Sequence, residues 1–567
     1  MRQPHIFLCL FVLFVANQTV AYAHTATAQH NMIATVHPIA TDAGLAVFHE
    51  GGNAVDAAVT AALTLGVVDG ERSGIGGGCL ILIRTADGKF TAIDGRETAP
   101  AAANKNMFVR DGKPMLTASQ TGPLASGVPG ALAAYKMALG KCGSIKLARA
   151  LAPGIKAARD GFEISEEYAK AVREVKKNLR KFEGSRAIFF RPDDKLIAAG
   201  DRLVQADLAN TYQQIAEHGT DYFYRGEIAK KIGDWMAMNG GIMTATDFGK
   251  YEAKIREPIK STYRGYQIIG FPPPSSGGVH VAEILNILET FDLKSIAQKD
   301  PIEATHIMSE AFKLAFADRA YWMGDSDFVT VPRGLTSKEY AKQLAAKIDP
   351  KRAIDVPSHG TPPNFSQDVF GRHTTHIAAA DAAGNWVAIT ATVNRTFGSK
   401  VIVPGTGVVL NDEMDDFSIL PDVPNAFGLV GAENNSVAPG KRPLSSMSPT
   451  IVLDKDGKPV MTVGAAGGPK IITQAVLAIV RVLDFDQSLP EAVENSRFHH
   501  QWRPNVISYE KGLTPEVVDG LRKRGHNVKV LDKEVDGVGR TQAIAMNRDG
   551  KFVGVADPRT AGKAAGD

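Results

Sequence analysis

The sequence predicts an α+β protein built from layered sheets with helices outside them. Three observations support this. The first half of the chain reads as largely helical, the second half is rich in hairpins, and strands alternate with helices without the regular spacing of βαβ units.

Taken in order, residues 54–68, 147–160 and 302–322 have helical patterning. In the last of these, Ile307, Ala311, Leu314 and Phe316 suit one apolar stripe. Strands at 80–83 and 90–93 flank Asp87-Gly88, a strong hairpin turn. The loop at 271–278 holds Pro272-Pro273-Pro274-Ser275-Ser276-Gly277-Gly278 and leads into a helix near Val279. Beyond it, strands at 374–380 and 386–393 flank Ala383-Gly384-Asn385. Strands at 450–453 and 460–463 flank Asp456-Gly457, and those at 541–546 and 551–555 flank Asp549-Gly550. Helices at 471–483 and 516–524 separate these hairpins, and no internal repeat is present. Residues 349–373 are polar, contain four prolines and show little periodicity, so they predict an exposed linker between the halves.

Met1 to His5 carries one firm positive charge, residues 6–16 are apolar, and Ala21-Tyr22-Ala23 offers small residues where a signal peptidase reads. This predicts a cleaved signal peptide over 1–23 and a periplasmic or secreted protein. The apolar run falls well short of the roughly 20 residues that span a bilayer, so no membrane span is expected in the mature protein. Lys and Arg total 64 against 61 Asp and Glu, and no run of five or more basic residues occurs, which argues against a nucleic-acid partner. Hydrophobic residues make up 44% of the chain and charged ones 22%, which excludes disorder and coiled coil. Besides Cys9 in the signal, Cys79 and Cys142 remain; Cys79 lies in an apolar run and predicts a buried thiol, and whether the two pair stays open. With no CxxC and no His pair at ligand spacing beyond His499-His500, neither a metal nor another cofactor is expected.

The second half opens with Gly371-Arg372-His373-Thr374-Thr375-His376. A threonine on a strand ordinarily serves β-branching, but its neighbourhood is distinctive. Downstream stand Thr392-Val393-Asn394-Arg395-Thr396-Phe397-Gly398, Asn411-Asp412-Glu413-Met414-Asp415-Asp416-Phe417, the segment 441–450 with Ser445-Ser446, and Gly467-Gly468. Upstream are Asp94-Gly95-Arg96-Glu97, Val128-Pro129-Gly130 and the 271–278 loop. From about Asn31 to Arg559 this ordered set resembles the gamma-glutamyltranspeptidase (glutathione hydrolase) family.

The resemblance implies an N-terminal-nucleophile hydrolase with a four-layer αββα sandwich, made as a precursor. Cleavage at His373–Thr374 would give a large subunit, 24–373, and a small one, 374–567, which stay together as a heterodimer in one catalytic domain. The residue type fits that chemistry. An N-terminal threonine carries its own base, the α-amine, which titrates near 7.7–8.0 in reference peptides and is only an amide before the cut. The resemblance assigns Thr374 as nucleophile, Thr392 as its hydrogen-bonding partner, and Gly467 and Gly468 as an oxyanion hole, where each donor is worth roughly 3–4 kcal/mol of barrier. It also implies that Arg96, Ser445 and Ser446 take the α-carboxylate of a γ-glutamyl donor, and that Asn394, Glu413 and Asp416 surround its ammonium.

The bland readings are a surface ion pair for Arg96, a cap or turn for Asp415-Asp416, a loop for Ser445-Ser446 and a turn for Gly467-Gly468. The expected activity is transfer of the γ-glutamyl group from glutathione or γ-glutamyl amides to water, an amino acid or a peptide. A glutaryl-type β-lactam acylase and a processed but inactive binding protein are the alternatives. Glu413 stands where bacterial members often have Gln, Phe427 stands in a lid-like segment (421–440) where a gating Tyr is common, and the first residues of 69–78 depart from the usual pattern.

Overall fold

The architecture follows from which way successive strand residues face. In the computed structural model, which describes residues 24–363, 367–368, 376–531 and 539–567, the strand Gly78–Arg84 is buried along nearly its whole length. Leu80 and Leu82 enter one apolar cluster while Ile81 and Ile83 enter another. The strand His376–Asp381 divides in the same way, Ala378 and Ala380 against Ile377 and Ala379. Side chains alternate across a strand, so a strand apolar on both faces must be covered on both.

Two seven-stranded sheets result, and every pairing within them is antiparallel. One runs Lys563–Ala565, Asn31–Thr35, His376–Asp381, Trp386–Thr392, Gly78–Arg84, Phe90–Gly95, Lys254–Arg256. The other runs Thr25–Ala28, Phe552–Ala556, Arg540–Met546, Pro459–Ala466, Thr450–Leu453, Tyr266–Gly270, Ile259–Tyr263. A shared cluster that includes Met32, Leu80, Leu82, Trp386, Ile269, Ile451 and Ile544 joins them face to face. On its other face the first sheet packs with the helix Ala54–Val68. The second packs with Gly277–Leu288, Pro301–Trp322 and Lys470–Leu483. Both sheets take strands from before and after position 374, so the two stretches of sequence are not separate folding units.

Local signals account for the helix ends. Asn53 and Asp56 form a capping box at the start of Ala54–Val68. Asp300 accepts from the amides of Ile302 and Glu303, with Pro301 in the first turn, so the 302–322 helix begins one residue earlier than its apolar pattern. The hairpins at 80–93, 386, 450–466 and 540–556 form at the turns the sequence marks. Helices between Glu166 and Lys250 were not individually legible. In the segment expected to be a linker, residues 349–363 are irregular and mostly exposed or half-buried, yet they are tied down. Gly360 donates to Asp318 at 2.5 Å, and Trp502 Nε1 donates to the Val356 carbonyl at 2.7 Å. Residues 1–23, expected from the sequence to be a signal peptide, and His373 with Thr374, lie outside the described residues. Among the described residues no helix is long and apolar enough to cross a membrane. Cys79 is buried, as its apolar run predicts, and neither it nor Cys142 is in a disulfide.

The contact between the sheets is tight at Gly464. A Cβ placed there would lie 2.4 Å from His376 Nδ1 on the facing strand, and the His376 ring is itself fully buried. Gly464→Ala should therefore cost about 1–3 kcal/mol by overpacking. Chemical denaturation would check this, and an unchanged midpoint would show that the ring has room to yield.

Candidate active site

Arg96 follows the strand Phe90–Gly95, and three groups fix its backbone. Its N–H donates to Asp94 at 2.9 Å, while its carbonyl accepts from Tyr251 Oη at 2.6 Å and Arg442 Nη1 at 2.9 Å. Asp94 in turn pairs with Arg442 at 2.8 Å and Arg256 at 2.9 Å. The guanidinium is fully buried and meets three carboxylates: Glu413 at 2.6 Å, Asp416 at 2.8 Å and Glu97 at 3.3 Å. The bland alternative for Arg96, a surface ion pair, therefore fails: this is a buried cluster with an excess of acid.

Such a cluster cannot hold every charge cheaply. Burial raises Glu97 to about 7 against the pull of Arg96, and it pushes Glu413 well above the usual carboxylate range. Oε1 of Glu97 and both oxygens of Glu413 accept no hydrogen bond among the described residues, although Glu413 keeps its ion pair with Arg96.

The other expected residues surround this cluster. Thr392 ends its strand paired with Gly78, and its Oγ1 accepts from the Asn394 amide at 2.7 Å. Asn394 has φ +78° and donates through Nδ2 to the Asp412 carbonyl at 2.9 Å, which ties it to the residue before Glu413. The glycine loop at 74–78 lets backbones meet here: a Cβ on Gly77 would sit 1.8 Å from the Thr392 carbonyl. Asn411 donates to the carbonyls of Gly76 and Gly127 and accepts from the Glu413 amide at 3.1 Å, joining the loops.

Ser445 and Ser446 are buried beside the 271–278 loop. Ser445 forms a parallel bridge with Ser275, and Ser446 Oγ has no partner among the described residues. Gly467 (φ +129°) and Gly468 (φ +60°) turn the strand Pro459–Ala466 into the helix Lys470–Leu483. A Cβ on Gly468 would lie 2.8 Å from the Phe427 ring, so the lid-like segment rests on this turn. Asn425 Nδ2 donates to Asp416 at 3.3 Å and the Ala426 amide donates to Asp415 at 3.0 Å, which ties that segment to the acidic pair. The structure thus gathers Arg96, Glu413 and Asp416 directly and links Thr392, Asn394, Gly468 and Phe427 to them by short contacts. Thr374 is outside the described residues.

The sequence reading did not single out Glu97 as part of the cluster, nor Tyr251, Arg442, Asn411, Asn425 or Arg319. Of these, Glu97, Asn411 and Arg442 lie within motifs quoted for other reasons, and Asn425 lies in the lid-like segment. One further group could offer metal ligands: His306, Glu310 and His526, all buried, with ligand atoms within 4.8 Å of one another. Their atoms are already engaged. His306 Nδ1 and His526 Nε2 share a hydrogen bond of 2.6 Å, and Lys313 Nζ pairs with Glu310 at 2.7 Å. A metal would have to displace that lysine, and the group acts as a hydrogen-bonded tie between two helical regions.

Two facing sheets with a buried, mixed-charge site define the class. The chain belongs to the gamma-glutamyltranspeptidase family, which it matches over residues 40–567. It is 44% identical over 540 residues to a glutathione hydrolase proenzyme of Escherichia coli (strain K12), covering 95% of this chain and 92% of that protein. A cephalosporin acylase from Bacillus halodurans superposes with a TM-score of 0.84 at 28% identity, covering 95% of this chain and 96% of that one. The Helicobacter pylori gamma-glutamyltranspeptidase is 41% identical with a TM-score of 0.55, covering 56% of this chain and 91% of that one.

The acid excess has a consequence for pH. A carboxyl with a raised folded-state pKa holds its proton more tightly when folded, so its contribution to stability is lost as pH rises from about 4.5 through about 7. Glu97→Gln should narrow the difference in melting temperature between pH 5 and pH 8, measured by calorimetry. An unchanged difference would remove Glu97 from that account.

Proposed function

We propose that the chain is a γ-glutamyl hydrolase/transferase, exported behind a cleaved leader (1–23) and activated by cutting itself at His373–Thr374. The observation that carries this reading is the Arg96 cluster, one guanidinium with Glu413 at 2.6 Å and Asp416 at 2.8 Å. A γ-glutamyl donor bears a carboxylate and an ammonium on one carbon. Its carboxylate would take Arg96, with Ser445 and Ser446 as further donors. Its ammonium would take Glu413 and Asp416, which this exchange leaves without the arginine, together with Asn394. The fold is read as the four-layer αββα sandwich of N-terminal-nucleophile hydrolases, with 24–373 and 374–567 as its two chains. The shorter solved chain of the Helicobacter pylori relative supports that division.

His376 pairs with Thr390 across two neighbouring strands, the second of which ends at Thr392. In the reaction, the Thr374 hydroxyl oxygen attacks the γ-carbonyl carbon as the α-amine takes its proton. The amides of Gly467 and Gly468 hold the developing oxyanion. Collapse breaks the C–N bond, the ammonium returns its proton to the leaving amine, and an ester on Thr374 remains. Water or an acceptor amine then attacks the ester carbon and gives its proton to the same α-amine; the ester C–O bond breaks and the ammonium passes that proton to the Thr374 oxygen, restoring the free hydroxyl.

The likeness to a cephalosporin acylase favours a second reading, a glutaryl acylase. A glutaryl donor has no ammonium, and the retention of Glu413, Asp416 and Asn394 argues for γ-glutamyl. The parent should turn over a γ-glutamyl anilide much faster than its glutaryl counterpart; the reverse order would exchange the two readings. Thr374→Ala should run as one uncut chain on a denaturing gel, where the parent gives two, and cleavage of the variant at the same bond would remove Thr374 as nucleophile. Arg96→Ala should raise the donor KM by at least about tenfold, the loss of a charge-assisted contact.

A further inference from the structure

The helix Pro301–Trp322 contributes a side chain to this region that the mechanism above does not use. Arg319 is 2% exposed, and among the described residues no carboxylate lies within ion-pair distance of it. Its donors go to neutral oxygens instead: Nε to Ser276 Oγ at 3.0 Å and Nη2 to the Ser445 carbonyl at 3.4 Å. Its strongest electrostatic neighbour is Asp416, with which it lines a small pocket alongside Asn425, Asn435 and Leu444.

A buried cation without a paired anion is costly, by several kcal/mol before compensation. Replacement by an apolar side chain would be the cheaper way to fill that space, so the charge points to a task rather than to packing.

The task is visible in what the guanidinium touches. The Ser445 carbonyl also accepts from the Ser276 amide at 3.0 Å and from Ser276 Oγ. Ser275 Oγ donates to the Met447 carbonyl, and a Cβ on Gly277 would sit 2.0 Å from that same oxygen. The loop 271–278 therefore lies flat against the Ser445–Met447 backbone, and Arg319 closes the contact from the helix side. On that turn the Ser446 hydroxyl is buried with no partner among the described residues.

We propose that Arg319 is a positioning residue for the donor's carboxylate. It acts through Ser276 and the Ser445 carbonyl to aim the Ser445 and Ser446 hydroxyls, and its charge sits within the field of Asp416. This rests on the γ-glutamyl reading of the site. It assigns the carboxylate half of donor recognition partly to a helix remote from the motif in sequence.

The test uses the matured enzyme and two variants, Arg319→Gln and the milder Ser276→Ala, the latter covering the case in which the former fails to fold. Turnover of a γ-glutamyl anilide gives kcat and KM. Inhibition is measured with L-glutamate, which has both charges, and with 4-aminobutyrate, which lacks the α-carboxylate. Arg319→Gln should raise the donor KM and the L-glutamate inhibition constant together by about tenfold, with kcat within about threefold and the 4-aminobutyrate constant unchanged. Ser276→Ala should move the same two constants in the same direction, by less. The proposal is overturned if KM stays within twofold in both variants, if kcat alone falls, or if 4-aminobutyrate weakens as much as L-glutamate. A parent enzyme that ignores γ-glutamyl anilide and L-glutamate alike would instead overturn the reading beneath it.

Discussion

The burial of Arg96 among three carboxylates is the constraint around which the rest of this structure is arranged. Taking a guanidinium out of water is expensive, and only close, well-oriented partners repay it. The chain meets that requirement twice over. Asp94, Tyr251 and Arg442 hold the Arg96 backbone, while Glu413, Asp416 and Glu97 hold its charge. These groups come from one sheet, a helix-following loop and the segments on both sides of the lid. The arrangement also leaves more acid than base inside, which burial relieves by raising the pKa of Glu97 and Glu413 rather than by adding a cation. A site that keeps spare buried carboxylate oxygens without donors is poised for a ligand that brings positive charge and hydrogen-bond donors together.

The interleaving of the sheets bears on maturation. Each sheet contains strands from both sides of position 374, and the apolar clusters draw on both. A cut in the chain there would remove one covalent link and none of these contacts, so two chains formed this way have no reason to separate. The ties at Gly360 and Val356 act in the same sense, holding the strap that precedes the undescribed segment against the helix Pro301–Trp322 and against Trp502.

What was legible in the sequence divides along physical lines. The hairpins were, because each turn needs a residue that accepts positive φ: Gly88, Gly384, Gly457 and Gly550 all have it. Arg96, Glu413, Asp416 and the serine pair were legible as motifs, though not the fact that the first three touch. Contacts between residues some 300 positions apart leave no periodic trace. Arg319 was hidden for a different reason. A helix buried on nearly all sides has no polar face to contrast with, so an arginine in it reads as solvent-facing until packing shows otherwise. The His306–Glu310–His526 tie was invisible likewise, since His526 joins it from more than two hundred residues away.

The lid makes the last connection. Asp416 offers one oxygen to Arg96 at 2.8 Å and the other to Asn425 at 3.3 Å, and two residues beyond Asn425 the Phe427 ring lies on Gly468. An ammonium arriving at Asp416 must take over part of this coordination. The contact to Asn425 is longer and neutral, whereas the one to Arg96 is short and charge-assisted, so the lid contact is the weaker of the two. Loosening it would free the segment that carries Phe427 from the turn proposed to hold the oxyanion. The carboxylate proposed to take the ammonium and the ring packed on the turn proposed to hold the oxyanion are thus joined through three consecutive residues. Phe427 needs no hydroxyl for that role, because what couples it to the site is its backbone position beside Asn425 and its packing on a glycine.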